Sequence, residues 1–228
     1  MLLGSVEDVY VSTDSGATFV STGMTDFVPA NETAGYHVAL SSDGSRLFAA
    51  SSTSHVLSST DSGATWSSVS ELNSNYTWTS LAATSDAGVL LASTTYGALY
   101  SSQDYGVTWT PNEMTATNPE PWDYVDISSD GKVWVASSEL SPIWVSTDSG
   151  STWATTGTSD VWTSVSLTNN GETIVTSSEG INKMSKATYS PTSSSSKSSS
   201  KKSSSKKSSS KKSSSSSKKS SSKKSSGK

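Results

Sequence analysis

Apolar positions in residues 1–190 fall in short runs, and no stretch carries the three-to-four spacing of a helix face. The run Trp162-Thr163-Ser164-Val165-Ser166-Leu167 alternates large and small side chains at period two, as a strand with one buried face does. Ser129-Asp130-Gly131 is a hairpin signal, followed by the mixed run Lys132-Val133-Trp134-Val135-Ala136. Ile143-Trp144-Val145-Ser146 predicts a further strand leading into an Asp-x-Gly turn, and the next begins at Thr152-Trp153. The pattern predicts an all-β chain of short antiparallel strands.

The same order of strands and turns recurs. Ser12-Thr13-Asp14-Ser15-Gly16-Ala17-Thr18-Phe19 matches Ser59-Thr60-Asp61-Ser62-Gly63-Ala64-Thr65-Trp66. Ser102-Gln103-Asp104-Tyr105-Gly106-Val107-Thr108-Trp109 and Ser146-Thr147-Asp148-Ser149-Gly150-Ser151-Thr152-Trp153 complete the set. The Asp positions are 47, 43 and 44 residues apart. A companion turn keeps step at Ser42-Asp43-Gly44, Ser85-Asp86-Ala87-Gly88, Ser129-Asp130-Gly131 and Asn169-Asn170-Gly171. Tyr36, Trp78, Trp122 and Trp162 mark the strand before that turn, each with an aliphatic residue or Ala three positions on. A period of this length with four strands per unit predicts the blades of a β-propeller. Whole blades are expected at 36–70, 78–112 and 122–156. Residues 5–20 are expected to supply a third and fourth strand, and 162–184 two strands and a third at Ile181-Asn182-Lys183-Met184. These end pieces would either combine to close a ring of four or leave open edges that self-associate.

The Ser-x-Asp-x-Gly-x-Thr-Trp/Phe motif resembles the Asp-box, or bacterial neuraminidase, repeat of several β-propeller families, over residues 5–184. Turn chemistry points to structural roles for Asp14, Gly16, Thr18, Phe19, Asp61, Gly63, Thr65, Trp66, Asp104, Gly106, Thr108, Trp109, Asp148, Gly150, Thr152 and Trp153. An Asp carboxylate accepts from the backbone N–H two residues on, Gly supplies positive φ, and the closing aromatic packs between sheets. The resemblance implies several activities, which the residues sort. Sialidases grip a substrate carboxylate with three Arg, and Arg46 is the single Arg here. A glycosidase needs two carboxylates at a set separation, and Asp26, Glu32, Glu71, Glu113, Glu120, Asp123, Asp126, Glu139 and Asp160 are candidates that nothing in the sequence orders into a pair. Asp-box glucanases are far longer. Sortilin-type receptors add a Cys-rich module absent here. The photosystem II assembly and stability factors share the repeat, but a basic patch is expected on their propeller.

Composition divides the chain in two, 1–189 and 190–228. The overall 32% hydrophobic content and net charge of −4 describe neither part. Residues 191–228 hold 23 Ser and 12 Lys with no apolar side chain beyond Pro191, so no core can form there and disorder is expected. All 20 acids lie before them with only Arg46, Lys132, Lys183 and Lys186, giving formal charges near −16 and +12. Adjacent lysines recur along the tail: Lys201 and Lys202, Lys206 and Lys207, Lys211 and Lys212, Lys218 and Lys219, Lys223 and Lys224. They make a polycation suited to binding an anionic polymer, mineral or surface, or the acidic body. The dense hydroxyls also make it a modification substrate, where about seven phosphates would cancel twelve Lys. This Ser/Lys tail is similar in composition to diatom silaffins, which implies association with silica.

Zero Cys excludes a disulfide framework, a thiolate metal site and a Cys nucleophile, and His37 and His55 are too few for a multi-His site, so neither metal nor cofactor is expected. No apolar run spans a membrane. MLLGSVEDVY is not a complete secretory signal, so the protein is expected to be cytoplasmic, or secreted if the true N-terminus lies upstream. The sequons at Asn31 and Asn75 match chance expectation in a chain so rich in Ser and Thr. Tyr76, Trp78, Tyr96, Tyr105, Trp122 and Tyr124 offer a sugar-binding surface, against the expectation that most are core. The reading is a non-enzymatic binding or scaffold propeller that takes a glycan or protein ligand, with a tail anchored to anionic material. The alternatives are a fragment of an Asp-box glycoside hydrolase and a photosystem II assembly-factor-like propeller.

Overall fold

The computed structural model describes residues 1–5, 8–24, 35–52, 55–69, 76–95, 97–113, 120–179 and, for its backbone, the strand 184–188. The first of the chain's two units runs from Met1 to Thr192, and the second, Ser193–Lys228, lies outside the described residues. All named elements are strands, in five antiparallel sheets. The first sheet is β1 (Leu2–Gly4), β2 (Val9–Val11) and β3 (Val20–Ser21). The second is β4 (Tyr36–Leu40), β5 (Leu47–Ser51), β6 (Val56–Ser59) and β7 (Ser67–Ser68). The third is β8 (Trp78–Ala83), β9 (Leu90–Thr94), β10 (Tyr100–Ser102) and β11 (Thr110–Pro111). The fourth is β12 (Trp122–Ile127), β13 (Trp134–Ser138), β14 (Ser141–Ser146) and β15 (Ala154–Asp160), and the fifth is β16 (Trp162–Leu167), β17 (Thr173–Ser178) and β18 (Met184–Thr188).

Within each sheet the strands pair in chain order, so each sheet is an up-and-down meander. The sheets stack face to face, first strand beside first strand: β4 lies against β8, β8 against β12, and β12 against β16. Burial follows from that stacking. The second strands of the middle three sheets, LFAAS, LLAST and WVASS, are buried at every position. They read as continuous small and apolar runs because both faces are covered, which removes the alternation a half-exposed strand shows. The fourth strands β7 and β11 are exposed throughout.

Among the described residues the core falls into four clusters between neighbouring sheets. Leu2, Val9, Tyr36 and Leu47 pack between the first and second. Phe48, Trp78, Leu90 and Trp109 pack between the second and third, and Leu91, Leu99, Trp122 and Trp134 between the third and fourth. Val135, Ile143, Val165 and Ile174 complete the series. Each interface is a nearest-neighbour term, as in repeat proteins generally.

Two expectations about the ends are corrected. The first partial unit contains β1 as well as the two strands expected, because Leu2 is buried against the second sheet. The two end pieces do not merge into one blade: they form separate three-stranded sheets, with no strand shared between them among the described residues. Among the described residues the first lacks the innermost strand type and the fifth the outermost, and both contain the central pair. The strand placed at Ile181–Met184 begins at Met184, and 181–183 lie outside the described residues.

Candidate functional site

Each of the four Asp turns is a closed hydrogen-bond cage built from side chains. At Asp61, the Ser59 hydroxyl donates to Oδ1 at 2.8 Å, the Thr65 amide to Oδ1 at 2.9 Å and the Thr65 hydroxyl to Oδ2 at 2.6 Å. Ser59 Oγ in turn accepts from the Gly63 amide at 2.9 Å. The same four bonds recur at Asp14, Asp104 and Asp148, each within 0.1 Å of the Asp61 values. The Asp side chain therefore reaches the N–H four residues on, rather than two as expected. Two successive residues take the left-handed conformation, such as Ser62 (φ 59°) and Gly63 (φ 91°), and this extra turn of backbone brings the Thr amide to the carboxylate. Bonds from Thr18, Thr65, Thr108 and Thr152 hold their Asp partners below the ordinary value of 3.8, Asp61 at about 2.

Companion turns repeat the device between the first two strands of the second to fifth sheets. Ser41, Thr84, Ser128 and Thr168 donate to Asp43, Asp86, Asp130 and Asn170 at 2.5, 2.9, 2.8 and 2.7 Å. The same hydroxyl oxygens accept from the amides of Arg46, Val89, Val133 and Thr173. Consecutive sheets are stitched there by backbone: Ser42 N–H donates to the Ser85 carbonyl at 2.7 Å, Ser85 to Ser129 at 3.4 Å and Ser129 to Asn169 at 2.9 Å. The Ser of each Asp turn stood in the motif without a role assigned to it, and the hydroxyls of the companion turns lie one residue before theirs. The signal was a Ser or Thr two positions before each Asp.

The closing aromatics differ in depth. Trp109 is buried and its indole N–H donates to the Gly106 carbonyl at 3.1 Å. Trp66 and Trp153 are half-buried, and Phe19 lies at 36% exposure on the first sheet. Trp153 meets Trp134 edge-on at 6.4 Å. Of the aromatics considered for a sugar surface, Trp78 and Trp122 are core, Tyr76 and Tyr124 are half-buried, and Tyr105 is exposed at 44%. Tyr96 lies outside the described residues.

The anion-binding array expected in the tail falls outside the described residues at every position: Lys201, Lys202, Lys206, Lys207, Lys211, Lys212, Lys218, Lys219, Lys223 and Lys224. So do Asp26, Glu32 and Glu71 among the candidate acids. Asp123 on β12 lies near Glu139, just past β13, where burial and the Glu139 charge push its carboxyl up although it accepts from the Glu139 amide. Glu120 accepts from the Ser138 hydroxyl at 3.0 Å. Asp126 reaches the next sheet, accepting from Leu167 N–H at 2.6 Å and Ser166 Oγ at 3.0 Å, with burial pushing its carboxyl up despite these bonds. Asp8 escaped notice in the sequence because it follows no repeat. It is buried and accepts from the amides of Val9 and Met24 and the hydroxyls of Ser21 and Thr22; burial alone would raise it, but these bonds hold it below its usual range. Among the described residues no three His, Asp or Glu side chains are placed to hold a metal, and no helix is long and apolar enough to cross a membrane.

Stacked antiparallel meanders, three of them four-stranded, with these turns define a β-propeller, and solved structures share that fold. A GH74 xyloglucanase from Xanthomonas campestris superposes with a TM-score of 0.59 at 19% identity, over 78% of this chain and 33% of that one. YCF48 bound to a D1 peptide gives 0.52 at 13% identity, over 68% and 53%. A nidogen/laminin complex gives 0.63 at 6% identity, over 82% and 73%. The chain thus spans about a third of the length of that xyloglucanase. No protein-family model and no curated protein matches it.

Proposed function

We propose that the protein is a non-enzymatic binding or scaffold propeller of the Asp-box kind, taking a glycan or protein ligand, and that residues 191–228 tether it to an anionic polymer, mineral or matrix. The observation that carries this is the segregation of charge, twenty acids against four bases before residue 191 and twelve lysines after it. A polycation of that density binds polyanions by releasing their counterions, with affinity falling steeply as salt rises. Two of the similar structures are propellers captured with a peptide or in a protein complex, which supports a binding role. The test compares the full chain with a version ending at Ser190 on silica and on heparin beads. Retention that disappears with the tail and falls with salt supports the tether. Equal retention of both versions overturns it.

The second reading is a fragment of a glycoside hydrolase, favoured by the pairing of Asp123 with Glu139 and by the GH74 likeness. It predicts slow release of reducing ends from xyloglucan by the intact chain, abolished by Asp123→Asn. Activity that survives that substitution rejects the pair.

A further inference from the structure

Three of the four Asp turns carry near-identical small side chains at their tips: Thr13, Thr60 and Thr147; Ser15, Ser62 and Ser149; Ala17, Ala64 and Ser151. The third turn departs at all three places, with Gln103, Tyr105 and Val107. The cage does not require this, since its four bonds have the same lengths as elsewhere. Nor does the backbone, since Tyr105 sits at φ 62° where Ser62 sits at 59°. A bulky aromatic is uncommon in the left-handed region, and an outlier of this kind points toward use.

Its surroundings say which use. The guanidinium of Arg46, the single Arg of the chain, lies 4.4 Å over the Tyr105 ring and braces it, while the residue stays 44% exposed. Tyr105 and Gln103 form one wall of a groove of about 380 Å³. Ser85 and Asp86 of the same blade and Ser129 and Asp130 of the next line it too. That volume lies within the range of small-ligand sites. Lys132 pairs with Asp130 at 2.7 Å, and Arg46 acts on Asp86. Two of the four basic residues before the tail therefore stand beside the groove's lining, Lys132 paired with Asp130 and Arg46 over Tyr105, so two cations accompany its two carboxylates. On a body of formal charge near −16, this patch is locally neutral. A cationic or anionic polymer gains little from such a patch. A neutral ligand rich in hydroxyls finds an aromatic ring for its C–H face and planar amide and carboxylate groups for its O–H groups.

We propose that this groove binds a neutral oligosaccharide, with Tyr105 as the stacking platform and Gln103, Asp86 and Asp130 as its hydroxyl partners. The proposal rests on the binding-module reading and names the ligand class and the site. The test titrates the full chain by calorimetry with cellohexaose, mannohexaose and chitohexaose, and with hexalysine as the charged contrast. At least one neutral hexasaccharide binds, and raising the salt leaves its affinity unchanged. Tyr105→Ser, which restores the residue of the sister turns, weakens that binding by about tenfold or more. It does not lower the thermal midpoint. Gln103→Thr gives a second, smaller loss and guards against any misfolding of the first variant. If no hexasaccharide binds, or Tyr105→Ser binds as the wild type does, the proposal falls. If hexalysine alone binds and loses affinity in Tyr105→Ser, the groove takes a cation instead. Bead retention measured on the same samples separates the two ideas: the tether stands if retention persists while the groove assignment fails.

Discussion

At the scale of single residues, the turns are held by groups whose loss has unequal consequences. Ser146 is buried and serves two partners, accepting from Gly150 N–H and donating to Asp148. Ser146→Ala leaves a buried N–H unpaired and is expected to cost about 1–3 kcal/mol in chemical denaturation. Ser151→Ala, on the exposed tip of the same turn, should stay within about 0.5 kcal/mol. The glycines make a matched pair. A Cβ on Gly150 would stand 2.3 Å from the Trp134 ring, whereas one on Gly157 meets nothing within 4 Å, and both have positive φ. Gly157→Ala therefore reports the backbone cost alone, about 1 kcal/mol, and Gly150→Ala should exceed it by at least about 2 kcal/mol. The Asp and Gly of each turn were legible because their types are demanded locally. The double role of the Ser was not, since a hydroxyl accepting from one residue and donating to another depends on two left-handed residues that only glycine announces in a sequence.

At the scale of elements, strands and turns were legible wherever an alternating run ended in Asp-Gly. The three whole sheets appear within a few residues of their expected bounds. β1 was not legible, because three residues carry no period and its warrant is tertiary, the burial of Leu2. The carboxylates divide in the same way. Nothing in the spacing of Asp126 says that it accepts from the backbone of the neighbouring sheet. Asp126→Ala removes the side-chain link from β12 to β16 and leaves Leu167 N–H without that acceptor, for an expected loss of about 1–3 kcal/mol. The fifth sheet packs its core against the fourth, at the end of the series, so the loss should be local. Amide exchange should quicken in β16 and β17 and leave β5 and β9 unchanged. Uniform quickening would mean that the sheets unfold as one unit.

At the scale of the molecule, the many turn carboxylates act together on acid stability. Asp14, Asp43, Asp61, Asp86, Asp104, Asp130 and Asp148 all sit below their ordinary value in the fold, Asp43, Asp61 and Asp130 at about 2. A depressed carboxyl stabilises fully above its unfolded value, and that contribution fades as pH falls toward the folded one. Asp123 and Asp126, raised by burial, work the other way and relieve a penalty as the pH drops from neutral. The midpoint in a thermal melt should therefore fall between about pH 4 and 2, with Asp123 and Asp126 opposing any decline at higher pH. A monotonic decline from neutral pH would show that Asp123 and Asp126 carry too small a penalty in the fold to oppose it. The whole-molecule arrangement was the least legible level. The period announced blades, but the sequence pattern allowed the ends to combine, and only the strand pairing shows two separate terminal sheets.

The backbone stitch between companion turns bears on how such a chain changes over generations. Its donors and acceptors are the amides and carbonyls of Ser42, Ser85, Ser129 and Asn169, groups that every residue but proline possesses in full. At that stitch no side chain decides which blade sits beside which; the side-chain cores and links such as Asp126 add to it elsewhere. Duplicating or excising one module of about forty-four residues leaves each surviving junction chemically equivalent to the old one. Blade number is then a quantity that tandem duplication can alter in single steps without a matching mutation at each seam. Tips such as Gln103-Asp104-Tyr105 can diverge in one copy while its siblings keep the frame standing.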